Sequence, residues 1–135
     1  MKNSKISILG LGMMGQAIAA GLVKAHHAKR LLAGTTRTRA AATRLRAELG
    51  IAVGVDNAAA AAAADVLVFA LKPLQVLEVA RALAAAGAVS PRTLVVSIAA
   101  GVTTAQLEEI LGPRVAVVRA MPNTPCSIGC GTTVL

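Results

Sequence analysis

The stretch "ILGLGMMGQAIAAGLVK", Ile8 to Lys24, passes from a short apolar run through Gly10, Gly12 and Gly15 into an alanine-rich segment. The glycines read G-x-G-x-x-G, directly after a strand-like run, Ile6 to Leu9, and directly before a helix-like one. In that setting each has a separate use. Gly10 permits a tight turn, Gly12 leaves room for a pyrophosphate against the backbone, and Gly15 lets helix and strand pack closely, with the helix N-terminus facing the phosphates. Lys2 and Lys5 ahead of an uncharged run to Val23 also give the outline of a secretion signal. The glycines and Gln16 interrupt the unbroken apolar helix that a signal or a membrane span prefers, so the stretch is read as a dinucleotide-binding turn.

Outward from this turn, short continuous apolar runs recur at 5–10, 30–34, 51–55, 65–71, 93–98 and 115–120, a pattern that suits strands covered on both faces. Helix-like segments at 14–27, 38–49, 58–63, 74–86 and 104–111 separate them. Thr103 and Gln106 have capping-box spacing at the start of the last helix, and Pro91 and Pro113 fall where elements should break. The alanine tract from Ala58 to Ala64 reads as a short crossover helix between the third and fourth strands, because alanine favours helix and packs closely. The alternation predicts an α/β fold, a Rossmann-like, doubly wound and mostly parallel sheet of about six to eight strands. Residues 1–135 are expected to form a single cofactor-binding domain of this kind.

Composition narrows the function classes. Hydrophobic residues make up 56% of the chain, much of it alanine, with Phe69 the single aromatic, so the core must be thin and closely packed. Nine of the fourteen Lys and Arg lie in residues 1–50 against one acid, Glu48, so the net charge of +8 resides there. With no Tyr or Trp for base stacking and no basic run interleaved with aromatics, nucleic acid is a poor partner. A solvated face for most of these cations, and a cofactor phosphate for one or two, is the better reading. Cys126 and Cys130 have no His or acid nearby, so no metal is expected; ordinary thiols in a reducing cytoplasm fit them.

The kind of dinucleotide follows from the end of the second strand. An NAD site usually places an acid about twenty residues beyond the glycines to hold the ribose diol, but no Asp or Glu occurs before Glu48. At that place stands "GTTRTR", Gly34 to Arg39, where Thr35 and Thr36 can donate hydroxyl hydrogen bonds and Arg37 can pair with a 2′-phosphate. NADP(H) is therefore expected, with NAD(H) disfavoured. "FALKP" (Phe69 to Pro73), "SIAAG" (Ser97 to Gly101) and "RAMPNTP" (Arg119 to Pro125) end strands on the carboxyl edge, where open α/β sheets bind ligands.

Together "GLGMMG", "GTTR", "FALKP", "VSIAAGVT" and "VRAMPNTP", in this order and spacing, resemble the N-terminal half of pyrroline-5-carboxylate reductase, the last enzyme of proline biosynthesis. The resemblance spans essentially the whole chain. It implies a Rossmann domain that binds NADP and, after it, a helical domain that dimerises and completes the substrate pocket. Carried over by residue, it implies that Leu9, Gly10, Leu11, Gly12, Met13 and Met14 wrap the pyrophosphate, with Gly15 completing the motif. Thr35 with Arg37 would meet the 2′-phosphate, beside Thr36, and Asn57 would lie near the adenosine. Ala70, Leu71, Lys72 and Pro73, with Ile98, Ala99 and Ala100, would line the nicotinamide side, and Asn123 would lie near the substrate.

The resemblance implies reduction of 1-pyrroline-5-carboxylate to proline in the cytoplasm, with a small-molecule substrate, homo-oligomers in the full-length family, and neither nucleic acid nor membrane as partner. The family's hydroxyl donor to the substrate nitrogen lies in the helical domain, so no catalytic residue is named here. Two rival readings stand beside this one: a related imine reductase or hydroxyacid dehydrogenase, and a non-catalytic NADP-binding module produced by truncation. The end at Leu135, where a short strand "TTVL" would close the sheet, leads to the expectation that this chain alone binds cofactor but turns over substrate weakly or not at all.

Overall fold

The computed structural model describes residues 3–122 and 133–134. Its main sheet is built from β1 (Ile6–Leu9), β2 (Leu32–Thr35), β3 (Ala52–Gly54), β4 (Val66–Phe69), β5 (Leu94–Ser97) and β6 (Ala116–Arg119). All neighbours pair in parallel, in the order β3-β2-β1-β4-β5-β6. This is the doubly wound arrangement with its topological switch point between β1 and β4, where adjacent crossovers leave the sheet in opposite directions. The helices are α1 (Met13–Lys24), α2 (Arg39–Leu49), α3 (Asn57–Ala62), α4 (Pro73–Ala85) and α5 (Thr104–Leu111).

Alternation along the central strands divides the core into two layers. Ile6, Ile8 and Val68 face Ala19 of α1 and Ala42 and Leu45 of α2. Leu9, Leu67, Phe69 and Val95 face Ala61, Val76, Ala80, Leu83 and Leu107, contributed by α3, α4 and α5. Phe69, the lone aromatic, is fully buried. Alanines at the helix contacts keep the layers thin, as the composition requires.

Local signals set the helix ends. Thr38 caps α2 by accepting from the Ala41 amide, and Gly50 closes it in the left-handed conformation at φ 66°. Pro73 takes the first position of α4, where its missing N–H leaves no hydrogen bond broken. The capping box of α5 is formed in both directions between Thr103 and Gln106.

Several sequence expectations are corrected. The first helix stops at Lys24 instead of continuing to 27: His26 adopts φ 61°, and the His27 ring reaches the Ser4 carbonyl at 3.0 Å. The run at 115–120 yields β6, half-buried or exposed along its length, because it forms an edge of the sheet with a neighbour on one side only. "TTVL" does not close the main sheet. Thr133–Val134 (β8) pairs antiparallel with Met121–Pro122 (β7) in a separate two-stranded ribbon.

Candidate functional site

At the carboxyl ends of β1, β2 and β4 the sheet opens into a cleft of about 500 Å³. Gly10, Leu11 and Gly12 form its floor, Thr35, Thr36 and Arg37 with Val55 and Asn57 one wall, and Ala70, Leu71 and Lys72 with Gln75, Glu78 and Val79 the other. The cleft therefore lies at the switch point, where open α/β sheets take their ligands.

The three glycines do different work. Gly10 holds φ +91°, and a Cβ there would stand 2.6 Å from Leu71 Cδ2 and 2.8 Å from the Ala70 carbonyl oxygen. Gly15 is buried in the first turns of α1, and a Cβ on it would collide with the Gly10 carbonyl. These two positions are closed by the protein itself. Gly12 is the reverse: a Cβ there meets nothing within 4 Å. It is the N-cap of α1 with no side-chain hydrogen bond, and the first turn of the helix carries no acid. The leading amides of α1 are thus left for an anionic group, and the open space over Gly12 suits a pyrophosphate.

Thr35 joins the glycine turn to the second wall. Its carbonyl accepts from the Leu11 amide at 2.8 Å, and its hydroxyl accepts from the Gly10 amide at 3.3 Å while donating to Asn57 Oδ1 at 2.7 Å. Gln16 Nε2 donates to the Leu11 carbonyl at 2.9 Å, bracing the turn from the helix side. Leu11 itself is buried, seated over Gly34, where a Cβ would lie 2.5 Å from Leu11 Cδ1. Thr36 is half-buried and Arg37 exposed at the rim, so the guanidinium is available to a ligand.

Of the positions singled out in the sequence, Gly10, Leu11, Gly12, Thr35, Thr36, Arg37, Asn57, Ala70, Leu71 and Lys72 line one cleft. Leu9 is fully buried beneath it and acts through its carbonyl, which accepts from the Ala70 amide at 2.9 Å. Met13, Met14, Gly15 and Pro73 flank the cleft without lining it. Ile98, Ala99 and Ala100 follow β5 on the same edge, tied by the Ile98 amide to the Phe69 carbonyl at 3.2 Å, and also stand outside the lining. Asn123, Cys126 and Cys130 lie outside the described residues. Sequence reasoning missed Val55, Gln75, Glu78 and Val79. The last three share one face of α4 at helical spacing, a pattern visible in the sequence once Pro73 is taken as the helix start.

Residues 5–101 match the family described as NADP oxidoreductase coenzyme F420-dependent. The chain belongs to this family. Over 135 residues it is 36% identical to a pyrroline-5-carboxylate reductase from Vibrio alginolyticus, an alignment covering all of this chain and 49% of that protein. A pyrroline-5-carboxylate reductase structure from Coxiella burnetii superposes with a TM-score of 0.89 at 35% identity, over 96% of this chain and 48% of that one. The Plasmodium falciparum pyrroline carboxylate reductase, solved with NADP bound, superposes with a TM-score of 0.82 at 30% identity, over 98% of this chain and 47% of that one. The chain spans about half the length of the curated relatives it matches. Among the described residues no helix is long and apolar enough to cross a membrane, and no group of three His, Cys, Asp or Glu gathers to hold a metal ion.

Proposed function

We propose that this chain binds NADP(H) in the cleft at the β1/β4 switch point and forms the cofactor-binding part of a pyrroline-5-carboxylate reductase. The observation that carries the cofactor reading is the pairing of an open Gly12 at the start of α1 with an exposed Arg37 at the end of β2. Gly12 leaves space for the pyrophosphate, and Arg37 offers a planar fork to a 2′-phosphate where an NAD-selective site would present a carboxylate. Likeness to pyrroline-5-carboxylate reductases over nearly the whole chain supports the substrate.

In this reading Gly10, Gly12 and the first amides of α1 hold the pyrophosphate, and Thr36, Arg37 and Asn57 the phosphate-bearing end of the adenosine. Ala70 to Pro73 and Ile98 to Ala100 lie towards the nicotinamide, with Asn123 near the substrate. The small side chains of Ala70, Ala99 and Ala100 let a flat ring lie against backbone. A reduced nicotinamide held there would supply a hydride to the C=N carbon of protonated 1-pyrroline-5-carboxylate, leaving proline and the oxidised cofactor. A protonated imine is already electrophilic, so the protein contributes chiefly position, and the cleft walls do that work. The same reading makes the partner a small molecule and the location cytoplasmic, and it assigns self-association to the family's helical domain.

A chimera tests this reading. This chain, replacing the matching half of the Vibrio alginolyticus reductase, is expected to restore NADPH-dependent formation of proline. A folded chimera that binds NADPH and leaves 1-pyrroline-5-carboxylate untouched would contradict the assignment of substrate.

A further inference from the structure

Thr35 offers the hydroxyl that sequence reasoning aims at a cofactor phosphate, yet the side chain is only 3% exposed and both of its hydrogen bonds point inwards. A hydroxyl carries one proton and two acceptor sites. The Gly10 amide can only donate, so it uses an acceptor site and leaves the proton to be placed elsewhere. Asn57 Oδ1, at 2.7 Å, takes it. This arrangement fixes the carboxamide of Asn57, whose two ends are chemically opposite: the oxygen is held inwards and the NH2 group points away. Among the described residues Asn57 Nδ2 has no acceptor, and no buried side-chain polar atom lacks a partner, so the NH2 group is accessible on a residue that lines the cleft.

We propose that Thr35 is a positioning residue, whose buried hydroxyl sets the Asn57 carboxamide so that its two N–H donors, and not its carbonyl, face the bound nucleotide. The inference rests on the NADP(H) reading of the cleft and changes the role of Thr35 within it, from phosphate ligand to orienter of a ligand. The same side chain ties the β1 turn to the start of α3. A single proton thereby decides whether that wall offers donors or an acceptor to an oxygen-rich ligand. An acceptor facing a phosphate oxygen would repel it, and a donor would bind it.

Calorimetric titration of NADPH into the wild type and five variants tests the proposal. Thr35→Val removes the hydroxyl at nearly constant volume and is expected to weaken NADPH by about tenfold, the loss of one charge-assisted hydrogen bond. Thr35→Ser keeps the proton and should stay within about threefold of wild type. Asn57→Asp still accepts from Thr35 but turns an oxygen to the cleft, and should cost more than about tenfold. In an Asn57→Ala background, Thr35→Val should add less than about threefold, since the group it orients is gone. Strictly additive losses would make Thr35 a direct ligand and overturn the proposal, as would wild-type affinity in either Thr35→Val or Asn57→Asp. Thermal unfolding checks that each variant is folded, and Asn57→Asp decides alone if Thr35→Val does not fold. If the folded wild type fails to bind NADPH, the cofactor reading falls and this inference with it; wild-type binding with unchanged variants removes this inference only.

Discussion

The two walls of the cleft are built by different means. On the side of β1, β2 and α3, side chains and main chain are cross-linked: Thr35 holds Gly10, Leu11 and Asn57, and Gln16 holds the Leu11 carbonyl. On the side of β4, β5 and the start of α4, the strand ends are tied mainly through backbone: the Ala70 amide to the Leu9 carbonyl, the Ile98 amide to the Phe69 carbonyl and the Ala120 amide to the Ser97 carbonyl, with one long 3.4 Å bond from the Ala99 amide to Ser97 Oγ. Leu74, at the entrance to α4, is 87% exposed. The first wall is preorganised by its own side chains, which suits recognition of the rigid, charged end of a nucleotide. The second offers flat backbone and small residues, which suits a ring whose position other contacts must refine. In the proposed function, affinity therefore resides in the first wall and chemistry at the second.

The glycines give the widest contrast. Gly15→Ala should destabilise the fold by about 3 kcal/mol, because its methyl group would occupy the place of the Gly10 carbonyl, a backbone atom that cannot swing aside. Urea unfolding measures it, and a stable variant would show that β1 and α1 need not be in contact at that point. Gly12→Val meets open space, so stability should change by no more than about 1 kcal/mol, the worth of a helix N-cap. NADPH affinity should nevertheless fall by at least about a hundredfold as the side chain fills the pyrophosphate position. Normal binding by the folded variant would move the nucleotide away from the turn.

A smaller effect is expected at the rim. Arg37→Ala should reduce the preference for NADPH over NADH by about tenfold while leaving NADH affinity nearly unchanged, since the guanidinium is expected to touch only the extra phosphate. Parallel titrations with the two nucleotides separate that outcome from a general loss of binding. The smallest effect belongs to the second wall: Leu74→Ser should shift stability by no more than about 0.5 kcal/mol, because the side chain is already in water. A large drop in NADPH affinity in this variant would contradict the division of labour between the walls.

The fold was legible in the sequence wherever one local feature admits one solution. Continuous apolar runs identified the parallel strands, Pro73 and the Thr103 to Gln106 box marked helix starts, and the glycine spacing located the switch point. Features that depend on distant partners were not legible. Whether β6 is covered depends on what lies beyond it, and the pairing of Thr133–Val134 with Met121–Pro122 is a matter of tertiary geometry that alternating residue types do not encode. The site shows the same division. Glycines and Arg37 declared themselves by type, whereas the inward turn of the Thr35 hydroxyl and the α4 face carrying Gln75, Glu78 and Val79 depend on how elements pack across the sheet.

The most direct test of the account is calorimetric titration of the folded 135-residue chain with NADPH and with NADH at one ionic strength. The account predicts saturable binding of both, with NADPH tighter by at least about tenfold, a difference of about 1.4 kcal/mol. Equal affinities for the two nucleotides, or no binding of either, would contradict it.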